Sequence, residues 1–508
     1  MPRLPVTLGM RPEPEIGRAA VLLERATKAE LDGDRETATR IYRQVLKIDP
    51  TQVVAVNRLG TIASQSGDFA AAMQQFTVSL RIEPNQPKTW TRLGVVHLVA
   101  GQFEEALRCF DRVIALDPRC GEAHMERALT LARLGRHEAA LVTFDEIVSM
   151  FPNDPEAAGL RAWALQWCGD YDQAFREFDR AIALAPDFVA AKVGKATLML
   201  LLGDLPGGFA LLESRWRMLE RPSWLLSADT EYIGLTAPDL VGKTLLLYQE
   251  QGAGDVIQFC RYAPLAANAG ARVILSVQPD QVSLLNTLDG VSMVIPATEP
   301  PPDHDLSCPI MSLPLVFGTT LETIPNALPY LRAEPSRVAA WRSRLSGIAG
   351  LRVGLVWAGR SWTGHIEAMA ADQRRSLPLT ALAPLASVAR CAFVSLQLGP
   401  PAEQAKSPPA GMMLHDFTND LVDYMDTAAL IENLDLVIAA DTSVSHLAGA
   451  LGKPVWLLNR FDTCWRWLLE RDDSPWYPTM RIFRQPEPGD WASVVRSVAD
   501  ALRTRAGA

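Results

Sequence analysis

Hydrophobic and polar positions repeat with a fixed period through the first half of the chain. Glycines recur every 34 residues, at Gly33, Gly67, Gly101, Gly135, Gly169 and Gly203. Prolines keep the same period at Pro50, Pro84, Pro118, Pro152 and Pro186. Between them an alanine is followed four positions later by an aromatic residue, as in Ala38 and Tyr42, Ala72 and Phe76, Ala106 and Phe110, Ala140 and Phe144, and Ala174 and Phe178. The pattern predicts paired helices, with small residues at their contacts, aromatic residues between them, and turns at glycine and proline.

In the second half, apolar runs alternate with helical stretches. The runs predict strands at 244–249, 272–277, 291–297, 351–359, 391–397, 434–441, 454–460 and 480–485. Nearly continuous apolar strands separated by helices favour parallel sheets that are covered on both faces. A linker, "AEPSRVAAWRSRL", divides the strands into two groups. We therefore expect two doubly wound domains facing one cleft, with ligands at the carboxyl ends of the strands.

Composition narrows the function classes. The formal charge of −9 argues against general binding of nucleic acid or anionic membranes. No apolar run is long enough to span a membrane. The seven cysteines are scattered without a CxxC pair, which suggests reduced thiols in a cytoplasmic protein and gives no metal-site spacing. The expected organisation is a loose leader at 1–18, repeats at 19–222, and two α/β domains at 240–345 and 350–500.

One polar motif, "EQGAGDVIQFCRY", follows the first predicted strand and spans Glu250–Tyr262. Gly252 and Gly254 allow a tight turn with close backbone approach, and a helix is expected to begin near Asp255. A GxGD sequence is a weak signal by itself, because a helix would accept Asp255 as an ordinary cap.

The other motif, "ADTSVSHLAGALGKP", begins where the strand at 434–441 ends. Thr442, Ser443 and Ser445 lie at an expected helix start, where free N–H groups and the helix dipole favour an anion. A capping hydroxyl would explain one of these residues, but not Asp441 and His446 as well. A diphosphate, with sugar hydroxyls held by Asp441, would explain the whole cluster.

Three other stretches leave their alternatives open. Asp303-His304-Asp305 has the D-x-D form of a metal-binding motif, although its proline-rich surroundings favour a polar loop. Arg374-Arg375 would neutralise a leaving diphosphate or form a solvated pair. Gly354 and Gly359 around Trp357 suggest a loop of close approach at a strand end. The aromatic residues of "WRWLLERDDSPWYP" are assigned mainly to packing.

These motifs resemble known families. The 34-residue pattern resembles the tetratricopeptide repeat. The "DTSVSHLAGALGKP" block resembles a conserved block of glycosyltransferase family 9, the heptosyltransferases, except that Ser443 stands where that family usually has glycine. The whole chain resembles bacterial proteins that join tetratricopeptide repeats to such a domain, with matching blocks at Glu250–Tyr262 and Asp473–Phe483.

The resemblance implies a helical repeat solenoid followed by a GT-B fold, and an inverting transferase that needs neither metal nor cofactor. It implies Asp255 as the general base. The expected donor-side residues are Asp441, Thr442, Ser443, Val444, His446, Arg375 and Trp357. The expected acceptor-side residues are Glu250, Gln251, Gly254, Arg261 and Tyr262.

The leading hypothesis is a hexosyl- or heptosyltransferase that uses a nucleotide-sugar donor and a protein or glycan acceptor recruited by the repeats. The main alternative is a non-catalytic repeat scaffold with a degenerate transferase-like domain. A further alternative is transfer to a lipid or glycan, with the repeats binding other enzymes. The repeats themselves would act in protein recognition, or as a spacer or dimerisation arm.

Overall fold

A computed structural model describes residues 13–217, 235–359 and 366–507. These residues divide into two compact units. The first contains the described chain up to Met150 together with residues 366–370, and the second contains the remainder. The first helix begins at Glu13, so residues 13–18 of the expected leader are helical, while residues 1–12 lie outside the described ranges.

Twelve helices make up the described chain as far as Leu212, and consecutive helices pack in pairs. Those of the first unit are α1 (Glu13–Leu31), α2 (Arg35–Ile48), α3 (Val53–Gln65), α4 (Phe69–Ile82), α5 (Pro87–Val99), α6 (Phe103–Leu116), α7 (Gly121–Arg133) and α8 (His137–Met150). Those of the second unit are α9 (Pro155–Trp167), α10 (Tyr171–Leu184), α11 (Val189–Leu201) and α12 (Leu205–Leu212).

The period of 34 residues follows from the chemistry of the turns. All six periodic glycines have positive φ, between 73° and 92°, a conformation that glycine adopts without a Cβ clash. In four of the pairs an aspartate after the glycine caps the next helix by accepting a hydrogen bond from its third amide group, at Asp34, Asp68, Asp170 and Asp204. Gly-Asp therefore ends one helix and starts the next.

The periodic aromatic residues fill the space within each pair. Phe76 of α4 lies against Gly60 of α3, where an added Cβ would come within 2.8 Å of the ring. Phe110 of α6 lies against Gly94 of α5 in the same way. Close helix contact therefore depends on a small residue opposite each ring.

Ten strands follow: β1 (Thr244–Tyr248), β2 (Arg272–Val277), β3 (Val291–Pro296), β4 (Leu306–Pro309), β5 (Leu351–Val356), β6 (Cys391–Ser395), β7 (Leu414–Asp416), β8 (Leu436–Ala440), β9 (Val455–Asn459) and β10 (Met480–Arg484). They form two sheets, in the orders β3-β2-β1-β4 and β10-β9-β8-β5-β6-β7, and every pairing of named strands is parallel. The predicted parallel α/β region is confirmed, whereas its assignment to the GT-B fold stays a prediction.

Nine α-helices accompany these strands within the described residues: α13 (Ala253–Phe259), α14 (Ala263–Asn268), α15 (Val282–Leu285), α16 (Leu313–Val316), α17 (Pro335–Arg344), α18 (Ile366–Arg375), α19 (Tyr424–Glu432), α20 (Ser443–Ala450) and α21 (Trp491–Gly507). The linker sequence forms α17, which packs against α19. Residues 366–370 belong to the first unit, where Glu367 accepts hydrogen bonds of 2.6 and 3.0 Å from Arg133.

In the second unit, the last helix pair shares a core with both sheets. Phe209 of α12 meets the rings of Phe259 and Trp465 edge to face, at centroid distances of 6.4 and 5.7 Å. The 3₁₀ turn that follows α12, Glu213–Arg217, brings Arg215 to Glu250 at the end of β1. The α11–α12 pair is therefore packed into the α/β region.

Candidate functional site

The two polar motifs of the second half meet in the structure. α13 follows β1, α20 follows β8, and the two helices pack together. At Gly254 an added Cβ would lie 3.0 Å from Cδ2 of His446 and 3.5 Å from Cα of Ser443. The expected acceptor-side turn therefore contacts the expected donor-side helix directly, and Gly254 makes that contact possible.

The start of α20 carries two unsatisfied polar groups. Thr442 is its N-cap residue, but the Oγ1 atom is buried and has no hydrogen-bond partner within the described residues. Asp441, half-buried just before it, makes no hydrogen bond or ion pair with any described residue. The first amide groups of a helix lack intrahelical acceptors. This arrangement offers hydrogen-bond donors to an anion and a free carboxylate to hydroxyl groups.

The two serines and the histidine of the motif are held by neighbouring side chains. Ser443 Oγ accepts a hydrogen bond of 2.9 Å from Tyr424, and Ser445 Oγ donates one of 2.6 Å to the carbonyl of Thr442. His446 Nδ1 lies 2.9 Å from the hydroxyl of Tyr477, and its ring stacks on Trp467. These contacts fix the first turn of α20.

His446 is a neutral imidazole in this setting. Burial lowers its pKa to about 3; Asp441 opposes the shift, while Arg466, Arg261 and Arg375 add to it. A neutral ring offers one donor and one acceptor nitrogen, so His446 would act by hydrogen bonding rather than by charge.

Three guanidinium groups lie at this edge of the second sheet, each beside a carboxylate. Arg374 donates to Asp462 at 3.0 Å, and Arg375 to Asp372 at 2.8 Å. Arg460 donates to the backbone of Asp462 and Ala371. Burial alone would lower the pKa of Arg460, but the charges of Asp462 and Asp441 outweigh it and raise the pKa.

Trp357 directly follows the end of β5. Its backbone N–H donates to Oε1 of Gln397 at 3.0 Å, and its buried indole Nε1 has no partner within the described chain. Gly359, two residues later, is packed against Asp372 and Arg375 so tightly that a Cβ would collide with both. The expected loop of close approach is thus directed at an arginine–aspartate pair.

Asp255 is more constrained than the sequence suggested. Its Oδ2 accepts a 2.9 Å hydrogen bond from the amide of Gly252, and its Oδ1 accepts one from Nη2 of Arg466. Arg466 is buried and also donates to Gln258 and to Cys464 Sγ. Although burial disfavours its charged form, the carboxylate of Asp255 raises the pKa of Arg466. Both oxygens of the expected base are therefore engaged.

The other expected acceptor-side residues divide into exposed and interior groups. Gln251 is exposed and has φ of 57°, an unfavourable conformation for a residue other than glycine. Glu250 is buried in an ion pair with Arg215 and accepts a hydrogen bond from the backbone amide of Met311. Arg261 is buried and donates hydrogen bonds to the carbonyl groups of Gln258, Pro325 and Trp476. Tyr262 is also buried, and its hydroxyl group forms a hydrogen bond with that of Thr319. In this structure these three side chains support the packing around the β1 turn.

The remaining motif residues have local structural partners. Asp305 of the D-x-D sequence accepts the amide of Thr244 and so stands at the amino end of β1, away from the carboxyl edge. Among residues 13–217, 235–359 and 366–507, no cluster of three or more His, Cys, Asp or Glu side chains could hold a metal. Arg466 and Arg215 were absent from the sequence-based site, because their partners lie 211 and 35 residues away.

Comparison with known proteins supports the repeat region. A tetratricopeptide repeat family model matches residues 91–155. Protein FlbA of Caulobacter vibrioides (strain ATCC 19089 / CIP 103742 / CB 15) is 27% identical over 342 residues, covering 62% of this chain and 55% of that protein. The chain thus spans about half the length of this relative.

Three solved structures are similar to part of the chain. YrrB, described as a tetratricopeptide repeat protein with an unusual peptide-binding site, is 22% identical with a TM-score of 0.32, over 34% of this chain and 89% of that one. MamA is 22% identical with a TM-score of 0.32, over 33% and 92%. A tetratricopeptide repeat protein from Parabacteroides merdae is 22% identical with a TM-score of 0.38, over 41% and 83%.

No helix within the described ranges is both long and apolar enough to cross a bilayer. The paired helices, their 34-residue period and the matching family model agree on one feature. The N-terminal part of this chain consists of tetratricopeptide repeats, and a parallel α/β region follows them.

Proposed function

We propose that this protein is a glycosyltransferase that takes a sugar from a nucleotide-sugar donor and delivers it to a protein or glycan acceptor bound by the repeats. The observation that carries the proposal is the start of α20. There a free carboxylate, Asp441, adjoins a buried hydroxyl without a partner, that of Thr442. A donor diphosphate would take hydrogen bonds from the helix start, and its sugar hydroxyls would donate to Asp441.

The surrounding groups support a leaving diphosphate. Arg375 lies close enough to His446 to lower the pKa of the imidazole. Arg460 lies close enough to Asp441 for that carboxylate to raise the pKa of the guanidinium group. Preorganised cations and N–H donors stabilise charge that develops on a leaving group, and their effect grows in a site that excludes water. The neutral His446 would add one hydrogen bond without adding charge.

The acceptor hydroxyl would approach from the β1 turn, where Asp255 is the proposed base. The pairing of Asp255 with Arg466 fixes the direction of the carboxylate, while two of its lone pairs are occupied. Deprotonation of the acceptor would use a remaining lone pair. The hydroxyl oxygen would then form the new bond to the anomeric carbon as the bond to the diphosphate breaks, with inversion.

The same pairing favours the second candidate, a non-catalytic scaffold. A base held by a buried arginine could be a structural contact only, with the α20 site binding a nucleotide as a fixed part of the fold. The two proposals agree on nucleotide binding and differ on turnover.

A ligand screen by thermal unfolding tests the shared part of both proposals. At a concentration of 100 times Kd, a bound nucleotide should stabilise the full chain by about 2.7 kcal/mol. If nucleoside diphosphates and nucleotide sugars at millimolar concentration leave the melting temperature unchanged, the donor site does not exist. If they bind but no sugar is released or transferred in the presence of acceptor candidates, the scaffold proposal is favoured.

A further inference from the structure

An open depression of about 640 Å³ lies along α2, in the first tetratricopeptide repeat. Ile62 of α3 and Ser66, the residue that caps the end of α3, line one side of it. The other side is formed by seven positions of α2: Arg35, Glu36, Thr39, Arg40, Arg43, Gln44 and Lys47. We call this surface the first-repeat groove.

The groove occurs where two apolar side chains of the other repeats are missing. The positions equivalent to Arg35 in the later repeats hold Phe69, Phe103, His137, Tyr171 and Leu205. After Thr39 the equivalent residues are Met73, Leu107, Leu141 and Phe175. Phe103 and Leu107 are buried. Arg35, which is exposed, and the small Thr39 leave this space open in the first repeat.

Charge sets the same positions apart. On α2 the seven positions hold four cations and one carboxylate, a net charge of +3, on a chain whose total is −9. The equivalent positions hold one cation on α4, two cations and two carboxylates on α6 and on α10, and three carboxylates without a lysine or arginine on α8. None of the four α2 cations forms an ion pair or a side-chain hydrogen bond with a described residue.

We propose that the first-repeat groove binds an acidic segment of a partner protein. Arg40, Arg43 and Lys47 lie on one side of α2 and span about 10 Å at 1.5 Å per residue, the length of about three extended residues. Guanidinium groups without partners favour carboxylates, which they bind with two parallel hydrogen bonds. Ile62 lines the groove but is a core residue that is 8% exposed, so it adds only a small apolar area. The groove therefore fits a short peptide rich in glutamate or aspartate.

Nucleic acid is the less favoured occupant. The negative charge of the whole chain repels a long phosphate backbone, whereas a short acidic peptide meets only the local cations. The proposal rests on the partner-binding part of the proposed function and is independent of sugar transfer, so nucleotide binding serves as a separate readout.

The test uses the full-length chain and a short fluorescein-labelled peptide of alternating glutamate and leucine, measured by fluorescence anisotropy at low salt. The parent should bind, with an affinity that falls as salt is raised. Reversing two charges, in Arg40→Glu with Arg43→Glu, should weaken binding at least about tenfold. Arg92→Glu, a change of the same kind at an exposed arginine of α5, should leave the affinity within about twofold.

A second variant separates the groove from general attraction. Thr39→Leu restores the side-chain type of the next repeats and fills the space without altering any charge. It should therefore weaken the binding of the peptide several-fold. Circular dichroism and nucleotide binding should match the parent in every variant. The proposal is overturned if the peptide does not bind, if Thr39→Leu binds as well as the parent, or if a single-stranded oligonucleotide binds more tightly and displaces the peptide.

Discussion

Arg215 and Glu250 form a two-pronged ion pair in the interior of the second unit. Nε donates to Oε2 at 2.9 Å, Nη2 donates to Oε1 at 2.8 Å, and each side chain is 4% exposed. Burial alone would lower the pKa of Arg215, but its bonds to Glu250 raise it. The pair joins the turn after the last repeat helix to Glu250, which follows β1 and lies five residues before Asp255.

Removal of Arg215 should therefore lower the stability of the protein. Arg215→Met leaves the carboxylate of Glu250 buried without its partner, and the free energy of unfolding should fall by about 3–5 kcal/mol in urea titrations. The double variant with Glu250→Gln should recover part of this loss, because no charge then remains buried. A loss equal to that of an exposed pair, about 0–1 kcal/mol, would contradict the structural role assigned to this contact.

The contact between Arg215 and Glu250 also predicts which fragments of the chain are stable. A fragment that starts at residue 223, at the end of the repeat array expected from sequence, lacks both Phe209 and Arg215. It should be unstable or insoluble, whereas a fragment that starts at Phe151 keeps the second unit whole. Expression and urea unfolding of the two fragments test this directly, and equal stability of both would be unexpected.

Glycine at the helix contacts of the repeats should resist replacement. Gly60→Ala places a methyl group 2.8 Å from Phe76, and overpacking of this kind costs about 1–3 kcal/mol, against a gain in helix propensity of about 1 kcal/mol. We expect net destabilisation on thermal unfolding. Gly17→Ala is the matched control, since nothing lies within 4 Å of its added methyl group, and it should stabilise α1. Equal effects of the two substitutions would argue against tight packing at Phe76.

The titration of His446 should appear in the stability of the protein. Its folded pKa of about 3 is below its ordinary value of 6.5, so below pH 6.5 the unfolded chain takes up a proton that the folded chain does not. Stability from this residue is complete above pH 6.5 and is lost as the pH falls towards 3, at up to about 1.4 kcal/mol per pH unit. Urea unfolding of the parent and of His446→Asn between pH 4 and 8 should differ in slope. Identical slopes would mean that the pKa of His446 is the same in the folded and the unfolded chain.

The fold could be predicted from sequence where local chemistry determines it. Positive-φ glycines followed by capping aspartates set the repeat period, and all eight expected strands occur with small shifts at their ends. β4 and β7 were not predicted, because four residues and three residues are too few to show a hydrophobic period.

The candidate site was predictable only in part. Asp441, Thr442 and His446 are neighbours in sequence, so a strand end and a helix start were enough to group them. Glu250 and Arg261 lie in an equally suggestive block, yet a sequence cannot distinguish a buried charge with an internal partner from a charge that awaits a ligand. The partners in question, Arg215 and Tyr330, come from distant parts of the chain.

Asp255 can be tested against an aspartate in a similar environment. Asp423 begins α19, accepts a hydrogen bond from the helix backbone and pairs with Arg337 at 2.9 Å; its side chain is 18% exposed, against 17% for Asp255. Asparagine at Asp255 should destabilise the protein by a few kcal/mol, because Arg466 is buried, and asparagine at Asp423 by less, because Arg337 is partly exposed and keeps Asp426 as a partner. Below the melting temperature, only Asp255→Asn should reduce sugar transfer, by about 10²–10⁴-fold. Transfer at the parent rate would mean that the base is another group.

Calorimetric titration of the full-length protein with a nucleoside diphosphate and with its nucleotide sugar tests whether the start of α20 holds the donor. Asp441→Ala should weaken the binding of the nucleotide sugar more than the binding of the diphosphate, because the carboxylate of Asp441 is assigned to sugar hydroxyls. Thr442→Val should weaken the binding of both ligands by about 10–150-fold, the effect of one lost hydrogen bond to a charged group. Asp305→Ala, at the opposite end of the strands, should change neither affinity. The start of α20 is not the donor site if the parent binds neither ligand, or if Asp441→Ala and Thr442→Val bind both ligands as tightly as the parent does.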